Sequence, residues 1–290
     1  MTLQRVTALP PPPVRPQDSH KGTFGRVLIV AGSPGMAGAA ALSGLGALRG
    51  GAGLVYIAVP ASIANTVSSV EPSYLTLPLP IDSEGRTTTS VIDVVMDALD
   101  GMNVCAVGPG LGTSDVAQQL VQKLYHDASL PVVIDADGLN CLVQAKVNFT
   151  SANGPRVLTP HPGEFARLIS SDTKTVQSNR EALAVRFADE SKSILVLKGH
   201  QTIVTDGHRV YTNTTGNSGM ATGGTGDVLT GLLSALLAQH MDPFEAAQLA
   251  VFLHGRAGDL AAEALSEPGL IASDLPRFLG PAWKSLQSGS

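Results

Sequence analysis

The residues with the clearest chemical potential form the stretch Gly219-Met220-Ala221-Thr222-Gly223-Gly224-Thr225-Gly226-Asp227, which runs into the apolar segment Val228-Leu229-Thr230-Gly231-Leu232-Leu233. Gly223, Gly224 and Gly226, with Thr225 between them, free the backbone to turn its N–H groups toward one point. A helix start adds unpaired N–H groups and the positive end of its dipole. Together these make an anion site suited to a phosphate. Asp227 is out of place in a pure phosphate binder, because its charge repels the ligand. It fits where a group must give up a proton beside a phosphate, as in phosphoryl transfer to a hydroxyl. Read alone, the same Asp equally serves as a helix N-cap, worth about 1 kcal/mol.

Such a loop needs a scaffold, and the rest of the chain supplies the pattern of one. Apolar runs at residues 26–31, 54–59, 103–107, 131–134, 156–159 and 194–197 read as buried strands. Helical segments at 37–50, 61–70, 115–125 and 175–190 fall between them, which predicts a mostly parallel sheet covered on both faces. Residues 201–205 and 208–212, joined by Asp206-Gly207, predict an antiparallel hairpin. Two further helices are expected over 228–239 and 243–264. Gly108-Pro109-Gly110, Asp135-Ala136-Asp137, His161-Pro162-Gly163-Glu164 and Lys198-Gly199 each follow the end of an apolar strand. In open α/β sheets ligands bind beyond the carboxyl ends of the strands, so one rim gathers the unusual residues.

Composition narrows the class. The chain has 290 residues, of which 43% are hydrophobic and 15% charged, with a net charge of −5. That excludes intrinsic disorder, and the absence of a Lys/Arg cluster excludes a nucleic-acid footprint. No apolar stretch is long enough to span a membrane. Cys105 and Cys141 fit no disulfide or metal pattern and read as buried thiols in a reducing cytosol. Residues 1–20, with Pro10 to Pro13, form a proline-rich arm that packs along the domain or a neighbour or stays loose; residues 21–290 read as one domain.

Taken in order, several blocks resemble one family. They are Lys21-Gly22-Thr23-Phe24-Gly25-Arg26, Ala31-Gly32-Ser33, Gly38-Ala39-Ala40, Gly108-Pro109-Gly110-Leu111-Gly112 and Asp135-Ala136-Asp137-Gly138-Leu139-Asn140. Thr159-Pro160-His161-Pro162-Gly163-Glu164, Leu197-Lys198-Gly199, Gly216-Asn217, Gly223-Gly224-Thr225-Gly226-Asp227 and His254-Gly255-Arg256-Ala257-Gly258-Asp259 follow. The set, covering about residues 20–270, resembles the ADP/ATP-dependent NAD(P)H-hydrate dehydratases. The resemblance implies a ribokinase-like three-layer α/β/α sandwich with a mostly parallel central sheet. It implies repair of the S-epimer of NAD(P)H-hydrate, by phosphorylation of the hydrate hydroxyl and elimination of phosphate. ADP or ATP is the co-substrate. Many family members carry an attached epimerase domain; this chain is too short for both, which implies a stand-alone dehydratase with NAD(P)H-hydrate epimerase on a separate chain. A cytoplasmic homo-oligomer, a tetramer, is also implied.

The resemblance assigns roles to residues. Asp227 is the catalytic base, and Gly223, Gly224, Thr225 and Gly226 hold the transferred phosphate. Lys198, Gly199, His200, Gln201, Thr202 and Gly226 bind the nucleotide. Ala39, Ala40, Gly110, His161 and Asp227 contact the hydrate. Taken by itself, His161 equally reads as a cap before Pro162, and Ala39, Ala40 and Gly110 as close packing. The dipole of the helix keeps Asp227 ionised and therefore a weak base. Mg²⁺ is implied, held by nucleotide phosphates, with no metal ligand assigned to the chain. Asp135, Asp137, Asn140 and Glu164 read as loop or cap groups. His254 and Asp259, five apart on a helix, read as packing contacts near the site rather than a metal pair. Gly35-Met36-Ala37 and Thr23-Phe24 depart from the family's habit of a more polar or aromatic stretch and an acidic-aromatic pair. The competing reading is a kinase of the same superfamily acting on a vitamin precursor or sugar. A nucleotide sensor without turnover has no use for Asp227.

Overall fold

The computed structural model describes residues 3–287; the chain ends, residues 1–2 of the expected arm and 288–290 of the expected domain, lie outside the described residues. The apolar runs form a 10-stranded sheet. Its strands are β1 Gln4–Arg5, β2 Arg26–Val30, β3 Leu54–Pro60, β4 Leu75–Leu79, β5 Val104–Val107, β6 Val132–Ile134, β7 Arg156–Leu158, β8 Ile194–Leu197, β9 Ile203–Thr205 and β10 Arg209–Thr212. Their order is β1-β10-β9-β8-β7-β6-β5-β2-β3-β4. Neighbours run parallel except that β9 is antiparallel to both β8 and β10, which is the hairpin expected around Asp206-Gly207.

The sheet is covered on both faces because successive side chains alternate. Val27, Ile29, Ile57, Ala106 and Val196 face the helices Ala37–Arg49, Thr225–Ala238, Pro243–Leu265 and Leu275–Gln287. Leu28, Val30, Cys105, Val107 and Leu195 face the helices Ser90–Ala98, Asp115–Asp127, Asp137–Gln144, Pro162–Leu168 and Arg180–Ser191. The three-layer α/β/α architecture follows directly from this alternation. Helices Ala37–Arg49 and Thr225–Ala238 meet almost backbone to backbone. A Cβ on Gly231 would lie 1.8 Å from the Ser43 carbonyl oxygen, and one on Gly46 would lie 2.2 Å from that of Val228. Only glycine allows that approach, which seats the helix carrying Asp227 hard against the sheet's first helix.

Several expectations need correction. The helix over 175–190 is two, Thr173–Ser178 and Arg180–Ser191, because Asn179 leaves helical geometry at φ −138°. The helix expected from 228 begins at Thr225. Strand β4 was not anticipated; it is an edge strand with an exposed Leu75 and a proline at 78, a residue tolerated at edges but weakening the pattern. The proline-rich arm packs on the domain. Its β1 pairs with β10, the buried Gln248 side chain donates to the Ala8 carbonyl at 2.7 Å, and the Arg15 guanidinium stacks 3.5 Å over Phe24. Both cysteines are buried, and burial pushes their thiols up to about 12. Among the described residues no helix is long and apolar enough to cross a membrane.

Arg156 carries an unusual share of the far layer. It is 1% exposed and its guanidinium binds no carboxylate; it donates to carbonyls of the helix end at Leu124 (3.1 Å), Tyr125 (2.8 Å) and Ala128 (2.6 Å). Apart from Leu124, which also accepts the Ala128 N–H at 3.4 Å, these are last-turn carbonyls, which a helix leaves without partners of its own. Replacing Arg156 with Met should therefore lower stability by about 2–4 kcal/mol, read from urea unfolding. A loss below about 1 kcal/mol would show that water satisfies these carbonyls instead.

Candidate active site

The strand ends deliver the expected rim. Asp135 follows β6, Thr159-Pro160-His161 follows β7, and Lys198-Gly199 follows β8. Lys198 Nζ lies 2.6 Å from Asp135 Oδ1, and the Thr230 hydroxyl donates to Asp135 Oδ2 at 2.8 Å. Asp135 is 1% exposed, so both of its oxygens are satisfied inside the protein. This pair joins two strand ends to the helix Thr225–Ala238.

That helix starts at Gly224, whose φ of +96° lies in the left-handed region and favours glycine. Gly224 rather than Asp227 occupies the N-cap position, and Asp227 sits one turn in with no capping bond. The cap reading of Asp227 is thereby set aside. No described donor bonds its carboxylate, although Lys198 is near enough to attract it. The Lys198 ammonium also approaches the loop, 3.2 Å from where a Cβ on Gly226 would be.

The ionisation of Asp227 corrects the expectation of a fully charged weak base. Burial, with the negative charges of Asp135, Asp137 and Glu164, outweighs Lys198 and pushes its pKa up to about 7. Burial draws Lys198 down, but Asp135, Glu164 and Asp227 more than offset that and hold it protonated above its ordinary value. The site thus combines a fixed cation with a carboxylate that is half ionised near neutrality, the condition under which a base is most useful.

His161 is the N-cap of the helix Pro162–Leu168. Its Nδ1 accepts from the backbone N–H of Gly163 (3.0 Å) and Glu164 (3.3 Å), while the Glu164 carboxylate accepts from the His161 N–H at 2.8 Å. Burial, Lys198 and Arg167 hold the imidazole below its usual pKa, so its proton sits on Nε2. Burial pushes Glu164 up. His254 supports the loop from below. Burial holds it down at about 4, and its Nε2–H donates to the Thr225 carbonyl at 2.9 Å. Asp259 accepts from the Gly216 N–H and the Asn217 side chain, both at 3.0 Å. These are the packing contacts expected of the pair.

A cavity of ≈ 670 Å³ opens beside the loop. Lys198, Gly199, His200, Gln201, Thr202, Thr225 and Gly226 all line it, so the residues expected to bind the nucleotide converge on one space. Its far wall was missed in the sequence. Asn213, Thr215 and Met220 contribute there, and Asn213 is fixed by its own bond to the Val251 carbonyl at 3.1 Å. Only the turn chemistry after β10 hinted at them. Gly223 faces open space. On the opposite side, a Cβ on Gly110 would lie 3.0 Å from that of Ala39. Ala40 does not reach the rim with its side chain; it is fully buried beside Gly32. Among the described residues no group of three His, Cys, Asp or Glu is placed to hold a metal.

With this geometry in place, likeness to known proteins is informative. The NAD(P)H-hydrate dehydratase family model matches residues 27–278. The bifunctional NAD(P)H-hydrate repair enzyme Nnr of Moorella thermoacetica is 41% identical over 277 residues, covering 95% of this chain and 52% of that protein. The chain therefore spans about half the length of such relatives. The ADP-dependent (S)-NAD(P)H-hydrate dehydratase of Bacillus subtilis is 36% identical, with 95% of each chain covered. The crystal structure of the Bacillus subtilis ADP/ATP-dependent enzyme, co-crystallised with ATP/Mg²⁺, superposes with a TM-score of 0.81 at 34% identity, covering 94% of both chains. A ribokinase-like superfamily protein of Enterococcus faecalis superposes with a TM-score of 0.82 at 26% identity, covering 98% of this chain and 96% of that one. The chain belongs to the NAD(P)H-hydrate dehydratase family and has the ribokinase-like fold.

The raised pKa of Asp227 has a thermodynamic consequence. A carboxyl whose folded pKa lies above its unfolded value stabilises the fold fully only below the unfolded pKa, and that contribution is lost as pH rises through about 7. Asp227→Asn should therefore melt above the wild type at about pH 8, with the gap closing toward about pH 4. Equal melting temperatures across that range would mean that Asp227 is ionised at no cost.

Proposed function

We propose that this member of the NAD(P)H-hydrate dehydratase family dehydrates the S-epimer of NAD(P)H-hydrate, spending ADP or ATP. The observation that carries the reading is the position of Asp227. It lies between the Gly223–Gly226 loop, the Lys198 ammonium and the nucleotide cavity, unbonded and half ionised near neutrality.

The chemistry follows from these parts. Hydroxide is a poor leaving group, and phosphate is a good one. The hydrate's hydroxyl oxygen attacks the terminal phosphorus of the nucleotide while Asp227 takes its proton. An O–P bond forms, the bond to the departing nucleotide breaks, and AMP leaves when ADP is the donor. The phosphate ester then eliminates. The C–O bond breaks toward phosphate, which leaves with the bonding pair and takes the proton of the neighbouring ring carbon, and the nicotinamide double bond returns. Lys198 and the loop N–H groups balance the phosphoryl charge throughout. Phosphoryl transfer through a loose transition state asks little of the base early. His161 is half exposed, with Nε2 3.3 Å from Glu164 Oε1, so Glu164 holds the ring at the edge where it would contact the hydrate. Ala39 and Gly110 allow the substrate close to the backbone, and Ala40 contributes main chain only.

Mg²⁺ fits this site as an ion carried on the nucleotide's phosphates, since the described residues offer no cage of their own. It would neutralise phosphate charge. The ATP/Mg²⁺ complex of the Bacillus subtilis enzyme supports that assignment. The reading also carries a cytoplasmic homotetramer, and NAD(P)H-hydrate epimerase as functional partner, supported by bifunctional relatives of about twice this length.

Hydrated NADH, Mg²⁺ and ADP or ATP, mixed with purified protein, should restore the absorbance of reduced nicotinamide with equal release of phosphate. A stable phosphorylated product from a vitamin-precursor alcohol, with no such rise, would assign the chain to the kinases instead. Asp227→Asn should retain nucleotide binding and lose at least about 10²-fold in turnover. Near-wild-type turnover would remove Asp227 from the mechanism. Because the base acts when deprotonated, kcat should fall as pH drops through about 7. Asp135→Asn should move that limb to lower pH and Lys198→Met to higher pH, since Asp135 raises and Lys198 lowers the Asp227 pKa. An unmoved limb in both variants would show that another group titrates.

A further inference from the structure

A second cavity of ≈ 310 Å³ opens on the same rim, away from the nucleotide cavity. Its walls come from Ser33, Leu79, Thr87, Leu111, Ser114 and Val116. Nothing in the mechanism above uses it.

Its place in the sheet is distinctive. From β2 the chain builds outward through β3 to β4, then returns to the other side of β2 and continues through β5, β6, β7 and β8. The order thus reverses between β2 and β5. The helix Ala37–Arg49 after β2 lies on one face of the sheet, and the helix Asp115–Asp127 after β5 lies on the other. Loops leaving such a switch point in opposite directions open a crevice where α/β proteins bind ligands. The two loops are tied across it: the Gly32 N–H donates to the Pro109 carbonyl and the Ser33 hydroxyl to that of Gly110, both at 2.8 Å.

The loop that walls the cavity also packs directly against the reaction centre. A Cβ on Gly108 would collide with the Asp135 carbonyl oxygen at 1.9 Å, and one on Gly110 would lie 3.0 Å from that of Ala39. Leu111, next in sequence, is already a wall of the cavity. The rim therefore runs from the nucleotide cavity at β8–β10, past Lys198, Asp227 and Asp135, to this second space.

NAD(P)H-hydrate is a dinucleotide. Its hydrated ring must face Asp227 and the terminal phosphoryl group, while the co-substrate fills the β8–β10 side. Its other nucleotide then has to extend toward β2 and β5. The geometry points to this switch-point cavity as the subsite for the adenine ring of the NAD(P)H-hydrate. The inference rests on the reaction proposed above. The lining suits a flat uncharged ring: apolar walls from Leu79, Leu111 and Val116, the hydroxyls of Thr87 and Ser114 to donate to its ring nitrogens, and the Ser33 oxygen, whose proton goes to Gly110, to accept from its amino group. It does not suit a phosphate. The one cation in the wall, Arg86, is already paired with Asp82 at 2.9 Å and Glu84 at 2.7 Å.

Two substitutions on different walls test this: Val116→Trp on the helix and Thr87→Trp on the loop, each checked for native circular dichroism. The probes are NADH and reduced nicotinamide mononucleotide, which lacks the adenylate half, with dissociation constants from equilibrium dialysis. The wild type should bind NADH at least about tenfold tighter. Both Trp variants should lose that preference by weakening NADH alone, and the KM for ADP should stay unchanged. A wild type that binds the two probes equally, or Trp variants that keep the preference, would overturn the subsite. Equal weakening of both probes would overturn it too, because the filling would then act on the reacting end. A wild type that prefers NADH yet fails to dehydrate its hydrate would sink the reaction and leave the subsite standing.

Discussion

The Asp135–Lys198 ion pair is the constraint around which the rim is arranged. Asp135 is 1% exposed and the Lys198 side chain 18% exposed, so both charges have given up most of their water. A contact of 2.6 Å and the second bond from Thr230 are what make that burial tolerable. Removing either partner would strand a charge in the interior. Because the three groups belong to β6, β8 and the helix Thr225–Ala238, their bonds fix that helix relative to the strand ends. The Gly223–Gly226 loop inherits its position from them.

The same pair explains the ionisation of Asp227. Lys198 is already engaged, so it offers Asp227 attraction without a hydrogen bond. Asp227 meets Asp135, Asp137 and Glu164 in a poorly hydrated space, and neutral pH finds it near its titration midpoint. A carboxylate bonded directly to Lys198 would be locked in its charged form and poor at taking a proton. The fold therefore keeps one carboxylate satisfied and the other not, and the unsatisfied one weakens the fold above about pH 7. Such local cost at a reacting group is the usual trade between stability and activity.

Much of this was legible in the sequence, for identifiable reasons. Strands buried on both faces are continuous apolar runs, so β2, β3, β5, β6, β7 and β8 stood out, and polar residues just beyond them marked the rim. Edge strand β4, with Pro78 and an exposed Leu75, gave no such signal. Asn179 broke a helix that its neighbours' propensities continued. At the site, strand-end position marked Lys198-Gly199, and the family resemblance supplied the rest of the set from Lys198 to Thr202 with Gly226. The pairing of Lys198 with Asp135, 63 residues apart, could not be foreseen, because a buried contact between strands leaves no local pattern. The ionisation of Asp227 failed for the same reason. A helix start argued for a charged carboxylate, whereas the deciding charges come from the turn after β6, from the start of the helix Asp137–Gln144 and from the helix Pro162–Leu168.

His161 is the cap that one of its two readings expected. As a cap it spends Nδ1 on the N–H groups of Gly163 and Glu164. That choice fixes the tautomer, because an accepting Nδ1 leaves the proton on Nε2. The cap thus leaves a donor of fixed identity on a half-exposed ring, 3.3 Å from the Glu164 carboxylate, and the proposed contact with the hydrate would draw on that donor. Burial and the cations Lys198 and Arg167 keep a second proton off the ring. A doubly protonated imidazole would surrender the cap, loosen the turn after β7 and add positive charge near Lys198. The neutral cap and the charged Lys198 are therefore parts of one electrostatic arrangement, in which the Lys198 charge helps keep His161 neutral and so keeps the cap intact.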